Sequence, residues 1–247
     1  MFEGLVTAVR TLTVLPCPGR DAERFSDSLH WFPFVGLLLG MAEAGFAWAG
    51  AAAGWYELAA LMAVAVGVLL TRGIHADGLA DLADGFFGGR DREMRLRIMK
   101  DSSVGSFGAV ALMLVMLLKW IAVLRLVQNG SFSLIASGVV LARLAQVILA
   151  ERLPYARSEG GTANSFVNGA GKGHLFTALI SSVLFVTVLS RFDPVAVPVL
   201  LIASLATATA VGVLSWRKIG GVTGDVLGAA SELTEAFVWT AGALLLH

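Results

Sequence analysis

The sequence predicts an all-α polytopic integral membrane protein. It should have about 6–7 transmembrane helices, a cytoplasmic N-terminus, an interfacial N-terminal helix and a cytoplasmic amphipathic helix. Three observations carry this. Only 15% of the 247 residues are charged and 57% are hydrophobic, whereas soluble domains carry about a quarter charged residues. Mean hydropathy is +0.78, so the polar residues are too few to coat a globule of this size. The apolar residues also fall into separate runs, several near the roughly 20 residues that cross a hydrocarbon core. Acidic and basic residues balance at 18 each, which gives no global charge for nucleic acid. The single cysteine, Cys17, excludes an internal disulfide framework and a CxxC metal site.

At the N-terminus, Phe2, Leu5, Val6, Val9 and Leu12 recur at helical spacing. They predict a short amphipathic helix lying on the membrane rather than a cleaved signal peptide. Leu15-Pro16-Cys17-Pro18 ends it, and a polar stretch from Gly19 to His30 leads to the first apolar run. The expected spans are Trp31 to Ala53, Leu58 to Leu70, Phe107 to Val127, Phe132 to Ala150, Leu175 to Leu189, Val195 to Leu214 and Val226 to Leu246. The second and fifth are short unless their flanks extend them. No internal repeat or low-complexity linker divides the chain, which reads as one membrane-embedded domain over residues 1–247. Basic residues collect in alternate connections: Arg10, Arg20 and Arg24; Arg72 and the run from Arg90 to Lys100; Arg152, Arg157 and Lys172; Arg217 and Lys218. The intervening turns carry one arginine at most, so these polar segments are expected in the cytoplasm.

The chain is organised around Gly73-Ile-His75-Ala-Asp77-Gly78-Leu-Ala-Asp81-Leu-Ala-Asp84-Gly85. On a helix, Asp81 lies roughly 40° from Asp77, and Asp84 roughly 20° to the other side. All three carboxylates share a stripe with no lysine or arginine between them. Like charges at that spacing repel, and a divalent, oxygen-ligated cation is the simplest neutraliser. A solvated polar face is the plainer alternative. It is weakened by Gly78, Gly85 and Gly88, which destabilise a plain surface helix and let a ligand approach the backbone.

Other polar segments fall on the same expected side. Arg90 to Lys100 forms a basic amphipathic helix whose arginines suit anionic lipid. Lys100-Asp101-Ser102, with Gly105 and Gly108, suits a turn that approaches phosphate. Glu151-Arg152-Leu-Pro-Tyr155-Ala-Arg157-Ser-Glu159 offers guanidinium forks for phosphate, or is simply a basic cytoplasmic loop. In the last segment, Asp225 and Glu232 share a helix face at i and i+7, with Glu235 at i+10. Acids at membrane depth default to a functional reading. Lys119 and Arg143 lie within spans and need partners that the sequence does not identify. His75 is a tempting base, but it stands about 200° from Asp77 and joins the site only if the helix begins after it. His30, His174 and His247 lack acidic or cysteine neighbours at ligand spacing and read as interfacial. Gly105, Gly108 and Gly228 suggest a groove between spans that admits a large ligand, or else close helix packing.

Acidic clusters beside basic loops at a cytoplasmic membrane surface fit metal-assisted phosphoryl transfer. The metal neutralises a diphosphate and arginine or lysine clamps the remaining oxygens. A cation transporter would place its acids nearer the midplane, beside broken helices. A CDP-alcohol phosphotransferase requires Asp-Gly-x-x-Ala-Arg, eight residues, then Gly-x-x-x-Asp-x-x-x-Asp; here Asp81 follows Ala80 where arginine is required, and the later aspartates are missing.

Four motifs together, in order, resemble the cobalamin synthase (adenosylcobinamide-GDP ribazoletransferase) family. They are His75-x-Asp77-Gly-Leu-Ala-Asp81-x-x-Asp84-Gly; Ile98-Met-Lys100-Asp101-Ser with Gly105 and Gly108; Tyr155-Ala-Arg157-x-Glu159-Gly; and Thr223-Gly-Asp225-x-Leu-Gly228-Ala-x-x-Glu232-Leu. The resemblance runs from Leu12 through the last span. It implies a Mg²⁺-dependent enzyme of the prokaryotic inner membrane that acts in vitamin B12 nucleotide-loop assembly. A ribose hydroxyl of α-ribazole, or of its 5′-phosphate, attacks adenosylcobinamide-GDP and GMP leaves. By the same resemblance Asp77, Asp81, Asp84, Asp225 and Glu232 are expected metal ligands. Lys100, Asp101, Arg152 and Arg157 are expected at the phosphates. His75 joins the aspartates as a catalytic candidate. The expected partners are the two substrates and the bilayer, with a homo-oligomer and other cobalamin-assembly enzymes as further associates.

Overall fold

The computed structural model describes residues 2–161 and 163–246; His247 lies outside them. These residues form a helical bundle with a single isolated bridge, Tyr155 to Val222, among the described residues. Helix α1 (Phe2–Leu12) is the expected amphipathic segment. Gly4 lets it lie on the following 3-10 helix (Phe25–Trp31), since a Cβ there would come within 2.7 Å of the Asp27 carbonyl oxygen. Helix α2 (Phe32–Ala52) starts with Pro33 in its first turn, where the missing N–H costs nothing.

The remaining helices are α3 (Tyr56–Leu70), α4 (Ile74–Gly88), α5 (Arg92–Ile98), α6 (Ser106–Gln128), α7 (Phe132–Arg152), α8 (Asn164–Gly169), α9 (Lys172–Leu189), α10 (Ala196–Ile219) and α11 (Gly224–Leu244), of which α3, α6, α7, α9, α10 and α11 follow the apolar runs. Five helical segments are long and apolar enough to cross a membrane: Phe25–Ala52, α6, α7, α9 and α10. Helices α3 and α4 meet that test only when taken together, and an 87° bend at the short break between them divides the pair. The expected seventh span corresponds to α11, which has the length of a span but carries Glu232 and Glu235 within it.

These helices fit a membrane protein, and so does the surface of the bundle. Met113, Leu114, Leu117 and Ile121 of α6, and Phe176, Ile180, Leu184 and Val188 of α9, stand exposed on the bundle's outside. Such stripes are costly in water and ordinary against lipid. Helix α7 runs through the middle, buried on almost every side. Small residues let its neighbours close in: a Cβ on Gly36 or Gly40 of α2 would strike the α7 backbone.

The bend between α3 and α4 is made by Arg72 (φ 54°) and Gly73 (φ 66°), consecutive left-handed residues. Glycine tolerates that region and arginine does not favour it. Beyond the bend, α4 crosses the ends of two helices instead of lying alongside them. Gly78 meets the Asp225 backbone at the start of α11, and the Asp84 carboxylate meets the start of α6.

Candidate active site

The site is assembled where α4 passes over α11. Gly78 has no side chain, and a Cβ there would lie 2.8 Å from the Asp225 carbonyl oxygen. Its role is therefore close packing of two helices, not ligand access. Gly85 likewise packs under Met99 and the Arg95 carbonyl. This contact brings Asp77 and Asp81 of α4 against Asp225 in the first turn of α11. Thr223 caps α11 by accepting the Val226 N–H and donates its own hydroxyl proton to Asp225 Oδ2 at 3.1 Å. The Arg157 guanidinium donates from Nη2 to Asp225 Oδ2 at 2.7 Å and to the Met99 carbonyl at 3.1 Å. It thus ties the 153–161 segment to both sides of the site.

Three carboxylates there face one guanidinium. Helix α4 lies across the bundle end, outside the spanning segments, and Asp81 registers the imbalance. Burial first, then the negative charges of Asp225, Asp77 and Asp84, push its carboxyl up to about 7, with Arg157 only partly opposing them. Among the described residues, no three His, Cys, Asp or Glu side chains converge closely enough to hold a metal on their own. That arrangement fits Mg²⁺, which commonly takes one or two carboxylates and completes its shell with water and substrate phosphate. The donors are hard oxygens throughout, the right set for such an ion.

Asp84 shares the stripe but is used differently. It is buried, and its two oxygens accept the Gly105 N–H at 2.7 Å and the Gly108 N–H at 2.9 Å. It therefore closes the positive N-terminus of α6. The Asp84 carboxylate fills the space where side chains on Gly105 and Gly108 would stand, while Gly105 also lines a shallow cavity of about 270 Å³ with Asp84 and Asp101, and Gly228 lines the larger cavity beside Asp77 and Asp225. Gly228 also packs on the His75 backbone.

Glu232 is not brought to the aspartates. It lies deeper along α11, 4% exposed, and accepts from Lys119 Nζ at 2.7 Å. Lys119 also donates to Glu235 at 2.6 Å, and Arg143 donates to Glu235 at 3.1 Å and to the Ser231 hydroxyl. Lys119 and Arg143 thus find their partners on α11, in a closed ionic cluster inside the bundle. Glu43 of α2 is buried beside it, and Gly67 of α3 makes the room, since a Cβ there would lie 2.5 Å from its carboxylate. The sequence signal for Glu43 was an acid within an apolar run.

His75 is the second residue of α4, so the helix does not begin after it. It nevertheless lines the same cavity as Asp77 and Asp225. Burial, then the charges of Arg143 and Lys119, hold its imidazole well below the ordinary histidine range, hence neutral. Lys100 reaches Glu159 at 3.0 Å on the open surface, and Asp101 accepts the Ser103 N–H at 2.9 Å in a local turn. Arg152 is exposed and pairs with Glu151. None of these three touches the aspartates. The basic helix α5 departs from the lipid-facing expectation: Arg92 donates to the carbonyls of Ile219 and Ala156, and Arg95 to those of Lys218 and Arg90. These arginines staple α5 to the end of α10 and to the segment before Arg157.

Three carboxylates and one guanidinium thus gather at one end of the bundle, beside a cavity. Comparison with known proteins gives a consistent result. Residues 4–243 match the family described as Cobalamin-5-phosphate synthase. The chain is similar to proteins named adenosylcobinamide-GDP ribazoletransferase. That of Chlorobaculum parvum is 61% identical, over all of this chain and 97% of the relative. That of Chlorobium chlorochromatii is 59% identical, over all of this chain and 98% of the relative. The protein of Syntrophobacter fumaroxidans is 41% identical, over 99% of this chain and 94% of the relative. No solved structure matches.

Proposed function

The chain belongs to the cobalamin-5-phosphate synthase family, and from that premise we propose that it transfers the adenosylcobinamide phosphate moiety of adenosylcobinamide-GDP to a ribose hydroxyl of α-ribazole or its 5′-phosphate. GMP leaves, and adenosylcobalamin or its phosphate forms. The observation that carries this reading is the under-neutralised set of Asp77, Asp81 and Asp225 where α4 crosses α11.

In this reading Asp77, Asp81 and Asp225 surround the position where Mg²⁺ would bind, one or two of them as ligands beside water and substrate phosphate; bound there, it would offset the diphosphate charge and the charge that develops on the leaving phosphate. Arg157 orients Asp225 and keeps a guanidinium beside the phosphates. Asp84 acts from behind, fixing the start of α6 against α4 so that the carboxylate stripe stays in register. The neutral imidazole of His75 is available to accept a hydrogen bond from a hydroxyl in the adjoining cavity. In this reading the basic connections face the cytoplasm, and the protein works in the inner membrane of a prokaryote as one membrane-embedded domain.

The test is GMP release by purified protein in liposomes supplied with adenosylcobinamide-GDP. Release that requires both α-ribazole and Mg²⁺ is the expected result. No release with competent substrates and lipid present would overturn the reading.

A further inference from the structure

A cavity of about 470 Å³ adjoins the aspartates, within the range of small-molecule sites. Phe25, Phe32 and Phe166 make one wall, with ring centroids 5.6 Å apart for Phe25 and Phe166 and 6.2 Å for Phe32 and Phe166. Asp77, Asp225 and Gln146 belong to the polar lining, and none of the described lining residues is lysine or arginine. Gln146 is 3% exposed; its Nε2 leans on the Leu227 carbonyl at 3.4 Å, and its Oε1 has no hydrogen-bond partner. An acceptor oxygen buried in this way is costly unless a donor satisfies it, and such an orphan asks for an explanation. We propose that this cavity is the acceptor-nucleoside site, with the flat apolar base against Phe32 and Phe166 and a ribose hydroxyl donating to Gln146 Oε1.

Three considerations select that occupant. A corrin macrocycle with its side chains is too large for the volume. A guanine edge, rich in donors and acceptors, would be left unpaired against phenylalanine, whereas a benzimidazole would not. The lining carries carboxylates and no cation, so an uncharged base and ribose suit it better than a phosphate. The inference rests on the proposed transferase activity for the identity of the nucleoside, and it makes Phe166 and Gln146 specificity-determining residues. The nucleoside half is common to α-ribazole and its 5′-phosphate, so both are used as probes.

The experiment is equilibrium dialysis of each probe against the full-length protein in detergent with Mg²⁺, for wild type, Gln146→Leu and Phe166→Leu. It is paired with KM values for both substrates and with thermal unfolding. Each variant is expected to weaken both probes about tenfold, the loss of one hydrogen bond or one aromatic face. The KM for adenosylcobinamide-GDP should stay unchanged. Gln146→Leu should unfold no earlier than wild type, because it removes an unsatisfied buried oxygen, whereas a merely structural glutamine would show the opposite. The probe held more tightly by the wild type identifies the true acceptor. Unchanged dialysis in both variants, as for a cavity occupied by a lipid chain, would overturn the inference, as would a rise confined to the KM of the corrinoid substrate. Wild type that binds the nucleoside but releases no GMP would overturn the proposed activity and leave this site standing.

Discussion

Helix α11 carries two acidic groups that answer the same physical problem in opposite ways. In its first turn Asp225 joins Asp77 and Asp81, and Arg157 is the one cation that touches them. About 10 Å further along the axis, Glu232 and Glu235 are held by Lys119 and Arg143, which come from two other helices. The deeper group is closed and nearly balanced, and breaking it leaves a buried charge alone, which is expensive. The upper group is half-open and short of positive charge, so it is stabilised by whatever cation arrives. Residue type does not separate a binding carboxylate from a structural one. The local balance of charge does.

The contrast is broken or sharpened most strongly by activity. Asp81→Asn removes charge from a repelling group, so it should cost about 10³-fold or more in GMP release while leaving the melting temperature in detergent unchanged or raised. A lower melting temperature would mean that the upper carboxylates also serve the fold. Glu232→Gln should do the reverse: stability falls by on the order of 3 kcal/mol, and the Mg²⁺ concentration for half-maximal activity does not move. A shift in that concentration would return Glu232 to the metal and collapse the distinction. Gly108→Ala, which pushes the Asp84 carboxylate off the start of α6, should cost about 1–3 kcal/mol by thermal unfolding.

The pH response sharpens the comparison from another side. Asp81 has a carboxyl raised to about 7, against 3.8 for the free group, so between those values the folded protein binds more protons than the unfolded chain. Metal-free stability should therefore fall as pH rises through roughly 4 to 7. The fall should be smaller in Asp81→Asn, and in wild type it should vanish when Mg²⁺ is added. A wild-type curve identical to that of the variant would remove the charge imbalance on which the comparison stands. The smallest effect belongs to Lys100→Ala: its partner Glu159 is exposed, and no change in melting temperature is expected.

Much of this was legible in the sequence, because hydropathy and helical spacing are local properties. All seven apolar runs became helices within a few residues of their expected ends, and the stripe of Asp77, Asp81 and Asp84 is a real helix face. What the sequence hid depends on pairing across the bundle. Asp84 looks like its two neighbours until α6 is seen to end on it. Asp225 and Glu232 share a face at i and i+7, but spacing does not say that Lys119 waits for the second and not the first. His75 has the wrong angle on its own helix, yet it reaches the cavity because α11 passes so close. The right-angled bend had only Gly73 to announce it, since nothing about Arg72 foretells a left-handed backbone. Nothing in the sequence singles out Gln146, an amide within an apolar run.

The closed cluster also bears on how the polypeptide is made. Lys119 and Arg143 are translated and enter the bilayer well before Glu232 and Glu235 exist, because their partners lie on the final helix. Until then the nascent protein holds two cations at a depth where each costs about 2.5–3.5 kcal/mol on insertion scales. Glu43, already synthesised on α2 and buried within the field of both, is the one acid in place to share that burden. Completion of α11 therefore neutralises the half-built bundle and delivers Asp225 to the waiting aspartates in the same event.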